Sequence, residues 1–267
     1  MTQPTPVLDH IVVNVHQRMD EAQQLFTRLG FALTPRGYHT LGSINHLAIF
    51  ATDYLELIAL PQSASGRQDL LGWPMGWNGV VFNTEDAAGL QATLNAAGVP
   101  AGPPNDFSRP VDFTGGTGDA AFRTVRLPNE TTPSGRLYFC QHKTRELVWR
   151  DEWRVHPNGV TGVARIVLAA KDPSRLGKVF AAMFGAGTSF LAGLVRIEVV
   201  TPAEALARYG DAVADPAGRP EWIAAVEYRV RSMAQTHAAL QAGGITLRAD
   251  GLVAAADAMG AAMVFAA

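Results

Sequence analysis

His10–Phe31 reads HIVVNVHQRMDEAQQLFTRLGF. A β-branched run is followed by a polar break, by Ala22, Leu25, Phe26 and Leu29 at helical spacing, and by Gly30 as terminator. The same grammar recurs three times. Gly79–Pro100, GVVFNTEDAAGLQATLNAAGVP, closes on Gly98; RIVLAAKDPSRLGKVFAAMFGA, from Arg165, ends near Gly185; and AAVEYRVRSMAQTHAALQAGGI, from Ala224, ends at Gly243 and Gly244. Self-similarity of this kind marks repeated supersecondary units, and it governs how the rest of the chain is read.

Further strand candidates follow each glycine. They are LGSINHLAIF and YLELIAL in the first unit, AAFRTVRL and GRLYFCQH in the second, LVRIEVV in the third and LVAAADAMGAAMVFAA in the fourth. Strands therefore precede and follow a single helix without regular βαβα alternation, which predicts an α+β fold. A ferredoxin-like arrangement is the main alternative. Two βαβββ-type units side by side form one cupped mixed sheet with its helices on the outside, so four units predict two bowls. Residues 1–150 carry the first pair, at 7–62 and 76–143, and residues 151–267 form a second, shorter half. The joint is expected at Trp149–Val160, where Pro157, Asn158 and Gly159 supply turn chemistry. Pro103–Gly118, PPNDFSRPVDFTGGTG, reads as a long loop of the kind used for lids.

Bulk properties narrow the function classes. The 267 residues are 48% hydrophobic and 17% charged with a net charge of −2, and the basic residues form no runs, so neither nucleic acid nor a membrane surface is an expected partner. The N-terminus lacks a basic leader and no apolar stretch approaches a membrane span, so a cytoplasmic protein is expected. The single cysteine, Cys140, excludes an internal disulfide and a cysteine-rich zinc site. Any metal must rely on histidine and carboxylates.

The opening LDHIVVNV, the pattern GYHTLGSINHL, the strand YLELIAL and the later CQHKTRELVW and HPNGV resemble the glyoxalase-like members of the vicinal oxygen chelate superfamily. The resemblance covers roughly residues 7 to 160, and the remainder only through the repeat. It implies a divalent metal in the bowl, held by ligands from the first and last strands of the units and chelating neighbouring oxygens of a substrate. Isomerases, dioxygenases, epimerases and metal-free drug-binding proteins share the fold, so the resemblance fixes architecture better than reaction.

His10 occupies the family's first-ligand position. Strand alternation puts it on one face with Val12 and Asn14; read alone, it is equally a strand-edge histidine bonded to nearby backbone. Glu56 lies in the apolar run Tyr54–Ile58, where a buried carboxylate needs a partner or an exposed edge. The family pattern has a glutamate ligand in this strand, which makes Glu56 a metal ligand or catalytic carboxylate. The second repeat departs from the pattern, because Asn78 and Gly79 stand where another ligand is expected. His142, on one face with Tyr138 and Cys140, completes a facial set of His10, Glu56 and His142 for Fe, Mn, Zn, Co or Ni; the alternative is a histidine that only ends its strand.

His39 is the candidate general acid or base and Asn45 a substrate-binding hydrogen-bond partner, placed on either side of Gly42 and Ser43. Arg109 and Arg123 are candidates for a substrate carboxylate. Trp73, Trp77, Trp149 and Trp153 are candidate pocket walls. The third and fourth repeats have Arg165 and about Ala225 at the first-ligand position, with Glu198 as their one buried-looking carboxylate, so this half is expected to be structural or to form a contact in a homodimer. Two functions remain open: a metal-dependent lyase, isomerase or dioxygenase acting on a small oxygenated molecule, or a metal-free small-molecule binding protein of the bleomycin-resistance type.

Overall fold

A computed structural model describes residues 6–64 and 66–267, and over these the repeats pair into two sheets. The first unit runs β1 (Leu8–Asn14), α1 (Met19–Arg28), β2 (Gly37–Tyr38), β3 (Ile44–Ile49) and β4 (Tyr54–Ala59). The second runs β5 (Gly76–Asn83), α2 (Ala87–Ala96), β6 (Asn105–Phe113), β7 (Gly116–Arg126) and β8 (Arg136–His142). The third comprises β9 (Val160–Ala170), α3 (Pro173–Phe184), β10 (Ser189–Ala192) and β11 (Val195–Val200), followed by α4 (Pro202–Tyr209). The fourth comprises β12 (Glu221–Val230), α5 (Met233–Ala242), β13 (Leu252–Val253) and β14 (Met263–Ala266). The βαβββ order thus holds for the first two units, and the last two are each one strand short.

Local chemistry sets the helix boundaries. Asp86, Asp172 and Ser232 accept hydrogen bonds from the backbone N–H groups of Gly89, Arg175 and Gln235, capping α2, α3 and α5. Gly30 ends the first repeat at φ +81°, and a Cβ there would come within 2.8 Å of the Asn158 side chain. It supplies both a left-handed stop and room for the joint to pass.

The first sheet has the order β2-β3-β4-β1-β5-β8-β7-β6 and the second β10-β11-β9-β12-β14-β13. At the centre of each, two first strands pair antiparallel, β1 with β5 and β9 with β12, and each pairs in parallel with its own unit's last strand. The first sheet curls until its edges meet, with Thr40 N–H donating to Ser108 O at 2.9 Å.

Alternation divides the strands between two environments. Ile11, Val13, Val80 and Phe82 of the first sheet, and Ile166, Leu168, Val226 and Tyr228 of the second, turn to one shared core that also receives α1, α2, α3 and α5. Phe31 sits at its centre, its ring 5.7 Å from Tyr228 and 6.5 Å from Phe265. The four repeat helices therefore lie outside the bowls, which stand back to back. At the joint, His156 accepts from Ala32 N–H (3.0 Å) and donates to Ile49 O (2.8 Å), while Asn158 donates to Leu29 O (2.9 Å).

Two expectations need correction. Pro103–Gly118 is no lid: β6 and β7 form a hairpin turning at Thr114 and Gly115. Pro110 is tolerated because β6 is the last strand in the sheet order, where a missing N–H breaks no ladder. Trp77 is not a pocket wall but lies in the shared core, where its indole donates to Ala262 O at 2.9 Å. No helix among the described residues is long and apolar enough to cross a membrane.

Candidate active site

β1 carries an irregularity that makes the site. Leu8 pairs with Phe82 and His10 with the adjacent Val81, so Asp9 is an extra residue. Such a bulge re-aims side chains. The acceptor Asp9 and the imidazole of His10 meet, with Nδ1 2.6 Å from Asp9 Oδ1. Burial alone would push the Asp9 carboxyl up, but His142 and His10 outweigh it and hold it well below the usual carboxylate range. An ionised Asp9 can only accept. His10 Nδ1–H therefore donates to it, and Nε2 faces the pocket.

Three groups meet that nitrogen. The Tyr138 hydroxyl lies 3.1 Å away, Glu56 Oε2 lies 3.6 Å away, and the ring stacks on Tyr54 with centroids 4.4 Å apart. Burial pushes the Tyr138 phenol above its ordinary value, so it remains a donor. Burial also acts to raise Glu56, but His10, His39 and the bond from Asn45 hold its carboxyl below the ordinary value. Asn45 Nδ2 donates to Glu56 Oε1 at 2.8 Å and lies 3.3 Å from His39 Nε2. Burial drives His39 down to about 4, so it is neutral near pH 7. Its Nδ1 meets Ser43 Oγ at 2.9 Å, completing a line Ser43–His39–Asn45–Glu56.

Of the residues singled out from sequence, His10, Glu56, His39, Asn45 and Arg109 line one tight cavity of about 30 Å3. His142 points inward but behind His10, where Nε2 donates to Asp9 at 3.1 Å instead of facing Glu56. A facial set of His10, Glu56 and His142 is therefore not assembled. The set of three donors that does converge among the described residues is Asp9, Cys140 and His142. Arg123 is a correction: Phe122 and Thr124 face the cavity, so alternation turns Arg123 outward, where it makes a bidentate pair with Asp106 at 2.7 and 2.6 Å. Trp149 backs the site at one remove, its ring 4.9 Å from His142 and 5.3 Å from Tyr54.

Sequence reasoning missed Asp9, Arg126 and Arg136. The bulge hides Asp9, because strict alternation puts neighbours on opposite faces. Arg136 was legible, since it shares the period-two face of Tyr138, Cys140 and His142.

Structures of other proteins share the fold. A hypothetical protein from Staphylococcus aureus is 14% identical, with 98% of this chain and 99% of that one covered and a TM-score of 0.66. A mutant of 4-hydroxymandelate synthase from Streptomyces coelicolor is 11% identical, covering 93% of this chain and 78% of its own, with a TM-score of 0.56. A xylose isomerase-like TIM barrel/4-hydroxyphenylpyruvate dioxygenase fusion protein is 14% identical over 94% of this chain and 40% of that one, with a TM-score of 0.55. At such identities the likeness is one of fold. No curated protein matches the chain in sequence. Paired cupped sheets of βαβββ-type units are the architecture of the vicinal oxygen chelate superfamily. Residues 8–184 match the family described as glyoxalase-like domain, and the chain belongs to that family.

Proposed function

We propose that the first bowl is the working site of an enzyme that takes a small oxygenated substrate through two neighbouring oxygens, using a divalent metal held by His10 and Glu56. The observation that carries this reading is the facing of His10 Nε2 and Glu56 Oε2 at 3.6 Å in the cavity. One ion bonded at about 2.0–2.2 Å to a histidine nitrogen and a carboxylate oxygen spans such a gap. A ligand histidine is normally braced by a carboxylate on its other nitrogen, and Asp9 braces His10 in this way at 2.6 Å. Asp9, Cys140 and His142 make a weaker site: Asp9 already accepts from two imidazoles, and burial keeps the Cys140 thiol protonated.

When bound, the metal would supply Lewis-acid chemistry to the substrate's oxygens. The chain's own residues do the rest. Asp9 fixes the tautomer of His10, and His142 shares the load on Asp9. Asn45 holds Glu56 in place from the side of its Oε1, and neutral His39 offers a hydrogen-bonding ring beside the substrate. Tyr54, Phe107 and Phe122 give the cavity apolar walls that limit water. The donor set suits Fe, Mn, Zn, Co or Ni, with lyase, isomerase or dioxygenase chemistry as the candidate reactions. Enzymes among the proteins of this fold support the reading by analogy only.

One observation favours a metal-free binding protein instead: the β8 residues that reach the cavity are Arg136, a cation, and Tyr138 and Cys140, which burial keeps protonated. Elemental analysis separates the two. The tag-free protein, stripped by chelator and reloaded with each metal in turn, should retain near-stoichiometric metal that His10→Ala and Glu56→Ala both abolish. No retention under any loading moves the assignment to the binding protein.

A further inference from the structure

The cavity holds more positive charge than its own acids answer. Arg67, Arg109, Arg126 and Arg136 all line it, while Glu56 is the carboxylate among its lining residues. Asp69 answers Arg67 in bidentate fashion, at 2.9 and 3.1 Å. The remaining three guanidiniums face one carboxylate, a surplus of two charges. Two of the three are deeply buried, with Arg109 at 2% and Arg136 at 6% exposure.

Arg136 is anchored but unspent. Its Nε donates to Asn78 Oδ1 at 2.7 Å, while both Nη atoms have no partner among the described residues. Arg109 Nη2 is likewise without a partner among them. Arg126 and Arg136 both sit over the Tyr138 ring, 5.3 and 5.8 Å from its centroid, so two like charges are held close together. Burial pushes Arg136 down to about 10, which leaves it charged at neutral pH. A buried, fork-shaped donor without an acceptor is a strained arrangement unless something else supplies the oxygens. A cavity of about 30 Å3 has room for two or three waters or one ligand of few atoms.

We infer that the cavity is built for a compact dianion, whose anionic oxygens are taken by the free guanidinium edges of Arg136 and Arg109 with Arg126 alongside. The inference rests on the first bowl being the substrate site and adds the class of substrate: a short dicarboxylate or a small phosphate monoester, in which the oxygens that face His10 and Glu56 belong to the same molecule.

The test is calorimetric titration at low ionic strength with malonate and methyl phosphate, the smallest members of the two kinds, against acetate and dimethyl malonate, on chelator-stripped and metal-loaded protein. At least one dianion should bind tenfold or more tightly than both controls. The better of the two kinds identifies the source of the charge. Arg136→Met should weaken that binding at least tenfold and, because it removes an unanswered buried charge, raise the melting temperature of the ligand-free protein. Arg109→Met keeps the binding test available if Arg136→Met does not fold. The inference falls if no dianion outbinds the controls in either form of the protein, or if every folded arginine variant binds as the wild type does. Dianion binding without metal uptake would leave it standing while the metal assignment fails. Metal uptake without dianion binding would do the reverse.

Discussion

The two bowls carry the same scaffold positions and treat them in opposite ways. In the first, His10 pairs with Tyr54, so Glu56 stands two residues further along β4; in the second, Arg165 pairs with Arg196, so Glu198 stands two residues further along β11. The basic and acidic groups are 3.6 Å apart in one bowl and 3.7 Å in the other. What differs is the filling. Ala205 and Tyr209 of α4 pack on Val167, Ala169, Trp222 and Ala225 in the second bowl. Arg165 also meets Glu227 at 3.3 Å, Tyr209 donates to Glu227 at 3.0 Å, and Arg208 reaches Glu198 at 2.6 Å. The chain thus answers its own charges there. In the first bowl no α-helix enters among the described residues; short 3-10 turns bring Leu70 and Leu147 against its interior, and Arg109 and Arg136 keep guanidinium nitrogens without a partner there, so the same register leaves a cavity.

The largest expected effect comes from the core that both bowls share. Phe31→Ala should cost about 3–5 kcal/mol, read by urea unfolding as a shift of one cooperative transition. Two separate transitions, with only one of them moved, would mean that the halves fold as independent units.

Asp53, immediately before β4, joins the bowls by accepting from Val163 N–H of β9 at 2.9 Å. Burial raises its carboxyl from 3.8 to about 6. A raised folded pKa means that its contribution is most favourable below about pH 3.8 and is lost as pH rises through about 6. Asp53→Asn keeps an acceptor oxygen without the charge. It should stabilise the fold by on the order of 2–3 kcal/mol above pH 7 and converge on wild type toward pH 4. Melting temperatures across that range check the sign; destabilisation at pH 8 would show that the charge is needed at the joint.

Asp9→Asn sharpens the contrast at the site itself, since in the second bowl Ala164 stands in the place of Asp9 before Arg165. Metal affinity should fall about 10–100-fold, measured by competition with a chromogenic chelator, while the far-ultraviolet circular dichroism stays unchanged. An unaltered affinity would remove Asp9 from the site. The smallest effect is expected from Arg165→Gln, in a half-exposed network worth roughly 0–1 kcal/mol. It should leave metal and dianion binding in the first bowl as they were, and a change there would reveal coupling between the two.

How much of this was legible follows from the kind of signal each feature carries. Helical and strand periodicities and glycine stops are local, so the sequence by itself determined the four repeats, the α+β class and the placement of His10 and Glu56 on strands. Features that depend on alternation breaking, or on which face is enclosed, were not local. A single extra residue turned Asp9 toward His10 and drew His142 away from Glu56. An edge position allowed Pro110 into a strand and so aimed Arg109 inward while Arg123 pointed out. Whether α4 fills a bowl or a cavity is left in it depends on contacts between residues far apart in the chain. The sequence could supply the charged groups, but only the tertiary structure decided which of them share one low-dielectric cavity, because that depends on how sheets curl and close.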